Sequence, residues 1–346
     1  MLPGSSLMDW FERLTGFREA GYDETRSRLE IDGSRLRSRV NGRSYGIGHL
    51  ELVSLQTLRE RVRASGRPPG RTRVQVVTGD VRRLHQSREY AGALFQVASQ
   101  FNLLEMVSEH VTPEHGVTRY AGDATQGPAC AIAAGAATIY RNYFAPVGDH
   151  VGQTSTRQLD GLADLGAALG KVLNASVGAL WTMRNGYALC TQPGLDAITG
   201  HLASTTPEQT DVWRGMLRIG FHRDVEVTDG DGPVPPAVSQ AFCSALPVAY
   251  SDVPRPRWQS FASLVLESAY EATLCAAVDN AQRGGTNIVL LTRLGGGAFG
   301  NDDAWIDAAM RRALHEAAAM DLDVRLVNHG PPSRTLLRLA ADFGSR

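Results

Sequence analysis

The chain is sparing in the residues that anchor metals, disulfides and nucleophiles. Among 346 residues there are four cysteines, Cys130, Cys190, Cys243 and Cys275, far apart and each in an apolar context. With no CxxC pair and no Cys/His cluster, a zinc site is not expected. This usage fits buried free thiols in a reducing compartment. The nine histidines show no HExxH spacing and there is no GxSxG elbow, so neither metal-assisted hydrolysis nor a serine nucleophile is indicated. No cofactor is expected. Charge of one sign is not in excess: 35 basic residues stand against 36 acidic ones, which argues against holding nucleic acid or an acidic membrane by bulk electrostatics. The N-terminus lacks a basic-then-apolar signal pattern, and no apolar run approaches bilayer-spanning length. A soluble, cytoplasmic protein is the expectation, with room for one large domain or two small ones.

What is present centres on Asn287 to Asp303, NIVLLTRLGGGAFGNDD. Ile288 to Leu291 has the length and branching of a buried strand. Gly295, Gly296 and Gly297 follow, then Ala298, Phe299, Gly300 and Asn301, and Trp305 to Met320 has helical periodicity. Glycine lets the backbone turn where other residues resist and lets a ligand approach the main chain. A glycine loop running into a helix N-terminus favours an anion, through unpaired N–H groups and the helix dipole. A tight strand-to-helix turn without ligand is the plain alternative.

Along the chain, Asp9 to Phe17 predicts a short amphipathic helix, and Arg28 to Val53 predicts strands turning at Asp32-Gly33 and Asn41-Gly42. Leu55 to Ala64 reads as a helix, followed by a basic, proline-broken linker to Arg73. Residues 1–73 are expected to be an extension packed on a core of residues 74–346, or else to complete the same sheet. In that core Val74 to Asp80 and Ala93 to Ala98 read as strands and Ala129 to Tyr140 as a packed helix entered through Pro128. Leu180 to Cys190 reads as a hairpin around Asn185-Gly186, and Leu217 to Thr228 and Val238 to Tyr250 as strands. Phe261 to Gln282 is a strong helix and Val324 to Val327 a last strand. Strands alternating with helices predict an α/β/α layered sheet.

Three motifs in order resemble the macrodomain family, α/β/α modules that hold ADP-ribose: VVTGD at Val76 to Asp80, LFQVASQFNLLE at Leu94 to Glu105, and LGGGAFGN at Leu294 to Asn301. The resemblance covers Val74 to Pro332, with an insertion at about 145–236. It implies a three-layer mixed sheet, with Asp80 accepting from the adenine amino group, Asn102 on the distal ribose, and Gly295 to Asn301 around the diphosphate. Asn328 would lie near the adenine. Leu103-Leu104-Glu105 stand where an ordinary macrodomain has a glycine run, and Asp123 to Pro128 is the nearest other phosphate loop, with Gln126 and Gly127 offering N–H groups. That displacement is similar to the enlarged, glycohydrolase-type branches, within which the chain looks most like bacterial enzymes that remove ADP-ribose from arginine, including on ubiquitin. An ADP-ribosylated protein is thus the implied partner.

Cleavage at the anomeric carbon passes through oxocarbenium-like charge and needs a carboxyl group as acid or base. Glu105, Asp302 and Asp303 are the catalytic candidates by position. Each has an ordinary alternative: Glu105 as a helix-start carboxylate, and Asp302 or Asp303 as a helix cap. Asp123 is a fourth carboxylate, in a loop expected to face solvent. Phe299 is expected either along the ribose and diphosphate or in the core.

Overall fold

The computed structural model describes residues 8–230 and 232–344. It opens with helices α1 (Trp10–Thr15) and α2 (Tyr22–Ser27) and an antiparallel sheet of β1 (Leu29–Asp32), β2 (Arg35–Ser38) and β3 (Ser44–Gly46). The next strand, β4 (His49–Ser54), joins the main sheet, and α3 (Leu55–Ala64) follows it, capped by the Ser54 side chain. Then come β5 (Arg73–Thr78), α4 (Val81–Gln86), β6 (Leu94–Ala98), α5 (Gln126–Ala133) and α6 (Gly135–Tyr143). The central stretch holds a small ribbon of β7 (Pro146–Val147) and β8 (His150–Val151), helices α7 (Ala163–Leu173) and α8 (Val177–Leu180), and a hairpin of β9 (Trp181–Arg184) and β10 (Tyr187–Cys190). After α9 (Gln192–Ala203) and α10 (Pro207–Gly215) the chain re-enters the sheet as β11 (Arg218–Glu226) and β12 (Ala237–Cys243). It ends with α11 (Gln259–Gln282), β13 (Ile288–Leu291), α12 (Asp303–Glu316), β14 (Asp323–Asn328) and α13 (Arg334–Phe343).

Seven strands form the main sheet in the order β4-β11-β12-β6-β13-β14-β5. From β12 to β5 all pairs are parallel, while β11 is antiparallel to both neighbours. Alternate residues feed opposite faces, as the pleat requires. Leu94, Ala241, Cys243, Val289 and Leu291 join one core with α3, α9, α11 and α12. Phe95, Val97, Phe242 and Leu290 join another under α4 to α6. Helices on both faces make this a three-layer α/β/α fold with a mixed sheet, as expected. Helix α11 lies in the middle of its layer, and 18 of its 24 residues are buried. Together with the preceding turn it is long and apolar enough to cross a membrane by length and composition, which the sequence reading did not anticipate, but 89% of the relevant window is buried inside the protein.

Two expected boundaries do not divide the fold. Residue 73 is not a domain edge, because β4 pairs with β11 and α3 packs on α11. The residues expected as an insertion, about 145–236, include β11, which sits inside the main sheet. The helix expected over Ala129 to Tyr140 is two helices, with Ala134 at φ −115° and ψ 59°. The end of the β11 segment docks into the break: Thr228 N–H and Asp229 N–H donate to Ala133 O, and Gly135 N–H donates to Thr228 Oγ1.

Candidate active site

In a parallel sheet the carboxyl ends of adjacent strands are where a crevice forms. Here a cavity of about 170 Å³ lies at the carboxyl ends of β12, β6 and β13. Its walls come from Ala98 to Gln100 after β6, Ala245 and Tyr250 after β12, and Thr292 to Phe299 after β13, closed by the start of α5.

Glu105 lines this cavity and is 3% exposed. It lies in a loop rather than at a helix start, so that ordinary alternative falls away. The loop is wound tightly: Leu103 adopts φ +65°, Leu104 N–H donates to Asn102 Oδ1, and Met106 N–H donates to Gln100 Oε1. Glu105 N–H donates to the Tyr120 hydroxyl at 3.1 Å. Neither carboxyl oxygen has a hydrogen-bond partner, and the nearest cation, Arg141, stands 3.6 Å away, beyond hydrogen-bond range. Burial dominates and pushes the carboxyl up from 4.5 to about 8; the opposing pull of Arg141, and then of Tyr120, is weaker. Burial thus favours the protonated form of Glu105, the form a general acid needs.

The glycine loop is pinned at both ends and open in the middle. Gly295 and Gly300 have φ of +75° and +69°, which favours glycine. Gly300 N–H donates to Gly297 O, Gly296 N–H to Arg293 O, and Asn301 N–H to Gly295 O, while Asn301 Nδ2 donates to Leu246 O. None of these bonds uses the N–H groups of Gly297, Ala298 or Phe299, all three of which line the cavity. Asn301 is buried and closes the loop from behind, and Gly296 is exposed outside the cavity wall. Gly127 in the first turn of α5 packs so closely that a Cβ there would lie 1.9 Å from Ala98 O and 3.1 Å from Glu105 Cγ. In the first turn of α5 the Gln126 and Gly127 N–H groups have no helical acceptor and sit at the same opening, while Ala129 N–H donates to Thr125 O.

Several expected contacts are placed elsewhere. Asn102 is fully buried; its Nδ2 donates to Gln158 Oε1 and its Oδ1 accepts from Leu104, so its polar atoms are spent inside the fold rather than in the cavity. Asp302 caps α12 by accepting from Ala304 N–H at 2.8 Å. Asp303 is 81% exposed and pairs with Arg293 at 2.7 Å. Neither lines the cavity in which they were expected to act: both carboxylates serve the helix start and its salt bridge. Gln126 lies at the cavity but points its amide at the β6 backbone, accepting from Ala98 N–H and donating to Gln96 O. Asp80 is exposed and caps α4, accepting from Arg82 N–H. Asn328, at the end of β14, donates to Gly330 O, and its carbonyl accepts from Gly79 N–H. Asp80 and Asn328 thus share the carboxyl edge with the cavity but lie outside its walls.

Phe299 is half-buried and lines the cavity with Tyr187 and Tyr250, ring centroids 5.1 to 5.6 Å apart. The two tyrosines were not singled out from the sequence. Tyr187 arrives from the β9–β10 hairpin, whose Gly186 carbonyl accepts from Phe101 N–H, and its hydroxyl donates to Met106 O at 2.7 Å. The hairpin so braces the Glu105 loop. Burial first, then Tyr250, then the charges of Glu109 and Asp123 push the Tyr187 hydroxyl up. Asp123, half-buried, lines the cavity rather than facing away into solvent.

No family model and no curated protein matches the chain. Among solved structures it is similar to poly(ADP-ribose) glycohydrolase from Deinococcus radiodurans in complex with ADP-ribose, at 17% identity, covering 85% of this chain and 93% of that one with a TM-score of 0.44. It is also similar to the poly(ADP-ribose) glycohydrolase of Thermomonospora curvata, at 14% identity, 90% and 93% coverage and a TM-score of 0.44. At these identities and scores the likeness decides neither family nor reaction.

Proposed function

We propose that the protein binds ADP-ribose along the carboxyl edge of its sheet and hydrolyses the bond between the distal ribose and a protein side chain, with arginine as the linkage. The observation that carries this reading is Glu105, a buried carboxyl group without a hydrogen-bond partner, in the wall of a cavity bounded by unpaired N–H groups. Those N–H groups, from the glycine loop and the start of α5, suit a diphosphate. Asp80 follows β5 and Asn328 ends β14, strands that lie three and two places from β6. At about 4.8 Å per strand that is a span of roughly 10 to 14 Å, a reach that suits the adenosine end of an extended nucleotide.

In the reaction Glu105 gives its proton to the leaving guanidine nitrogen as the C–N bond breaks and the bonding pair goes to nitrogen. Water adds to the oxocarbenium carbon and returns a proton to the Glu105 carboxylate. Support for arginine comes from the cavity wall: three aromatic rings with Asp123 in the same wall suit a guanidinium through its planar face and its paired N–H donors. A mono-ADP-ribosylated protein, ubiquitin among the candidates, is the partner this reading implies.

The test is release of ADP-ribose from an arginine-modified protein by wild type and Glu105→Gln, with calorimetric binding of ADP-ribose alongside. Poly(ADP-ribose) belongs among the substrates, since the similar solved structures are of enzymes named for it. Release lost in Glu105→Gln with binding retained supports the hydrolase. Binding without release on any linkage makes the protein a reader of the modification, and absence of binding sinks both.

A further inference from the structure

Arg141 reaches Glu105 from α6 and does not itself line the cavity. It is fully buried, with its guanidinium carbon 3.8 Å from the centre of the Phe242 ring. Its Nε donates to Leu103 O at 3.1 Å and its Nη2 to Thr138 Oγ1 at 3.0 Å, while Nη1 has no partner. Leu103 is the residue held at φ +65°, and Glu105 follows two positions later. A left-handed leucine is strained backbone that the surroundings must enforce, and the guanidinium on its carbonyl is one such enforcement. A buried arginine with one nitrogen unpaired, beside a carboxyl group with both oxygens unpaired, is costly and far from an optimised core contact.

We propose that Arg141 is a positioning residue: it holds the Leu103 turn that sets Glu105 in the cavity wall, and it receives the negative charge that appears when Glu105 gives up its proton. The inference rests on Glu105 being the acid of the proposed hydrolase.

The groups around the pair single out Arg141. Glu105 is faced by Arg141 from α6, by Tyr120 from the turn at Thr118–Gly122 and by Cys130 from α5; Arg141 is faced in addition by His222 from β11. Burial keeps the phenol and thiol protonated and the imidazole neutral. Arg141 is thus the cation of the cluster among the described residues, and its removal changes the charge next to Glu105.

The experiment is kcat against pH on arginine-modified protein for wild type, Arg141→Lys, Arg141→Met, Thr138→Val and Glu105→Gln, with ADP-ribose affinity by calorimetry. Activity that needs protonated Glu105 falls on the alkaline side. Without the cation, Arg141→Met moves that limb up by roughly one to three pH units and lowers kcat, with affinity unchanged. Arg141→Lys returns the limb to its wild-type place while recovering only part of kcat, since an ammonium does not reproduce the fork on Leu103 O and Thr138. An alkaline limb that stays put in Arg141→Met overturns the inference, because a core-filling arginine would change stability and leave the limb alone. Should Arg141→Met fail to fold, Thr138→Val decides: kcat reduced several-fold at unchanged KM is expected, and unchanged kcat refutes. Turnover that survives in Glu105→Gln removes the hydrolase reading and this inference together. A dead Glu105→Gln with an unmoved limb removes this inference alone.

Discussion

The side-chain amide of Gln126 takes the place of a strand beside Ala98. Its Oε1 accepts from Ala98 N–H at 2.8 Å, and its Nε2 donates to Gln96 O at 2.8 Å. β6 pairs with β13 only at Leu94 and Phe95, after which the two strands part. That parting opens the cavity at the carboxyl end of the sheet, and it would leave buried backbone groups without partners. Gln126 supplies both bonds, and on the far side Thr292 N–H donates to Gln96 Oε1. The opening and its repair are one construction.

Gln126→Ala is therefore expected to lower stability by about 1–3 kcal/mol, the cost of leaving buried polar groups unsatisfied. Urea denaturation measures it, and ADP-ribose affinity should fall with it because the cavity mouth loosens. If Gln126 were instead a direct phosphate contact, affinity would drop while the denaturation midpoint stayed where it was.

Glu105 carries a stability signature that is independent of turnover. Its folded-state pKa of about 8 lies above the usual 4.5, so the native protein holds this proton more tightly than the unfolded chain. The contribution is fully present below about pH 4.5 and is lost as pH rises through about 8. Glu105→Gln removes the titrating group, so wild type should lose stability relative to the variant between those limits, by on the order of a few kcal/mol. Parallel melting curves of the two proteins from pH 5 to 9 test this. Curves that keep a constant separation would mean that Glu105 is ionised and solvated.

The strands that bound the cavity were legible because each is a short apolar run ended by polar or glycine residues, and α11 was legible from length and periodicity. The hairpin at Asn185-Gly186 was equally plain, since both residues take the positive φ its turn demands. Sheet membership was not legible for β4 and β11, because a strand's neighbour is decided by contacts remote in sequence. The break at Ala134 has no glycine or proline at that residue to announce it; it is made by Thr228 and Asp229 arriving from β11. Tyr187, Tyr250 and Arg141 join the site only through folding. The resemblance supplied motifs and their order, and the glycine loop it singled out forms part of a cavity wall. Asn102 shows its limit: the residue stands in the expected loop, but Gln158 and Leu104 use its side chain.

Asp302 and Asp303 are expected to behave as helix-terminus residues. Asp302→Ala removes the N-cap of α12 and should cost about 1 kcal/mol. Asp303→Ala frees one of the two carboxylates on Arg293, a largely exposed pair worth less than about 1 kcal/mol. Neither change should reduce kcat more than a few-fold, in contrast to the roughly 10²- to 10⁴-fold loss expected for Glu105→Gln. A loss on that larger scale in either aspartate variant, with affinity intact, would move the acid–base role across the glycine loop.

Linkage preference turns on Asp123, whose Oδ1 accepts from Thr125 N–H at 2.9 Å. The other carboxylate oxygen remains available at the cavity wall, near Tyr187. A guanidinium leaving group would gain from that charge, whereas free ADP-ribose brings no cation to this wall. Asp123→Asn should therefore raise KM for an arginine-modified protein by about 10- to 100-fold, the scale of a single hydrogen bond to a charged group, while calorimetric affinity for ADP-ribose changes little. The same variant should leave KM for a serine-linked or acid-linked substrate nearly unchanged. An equal rise in KM for all linkages would assign Asp123 to the loop rather than to the substrate, since a deformed entrance at Asp123 to Pro128 penalises every ligand alike.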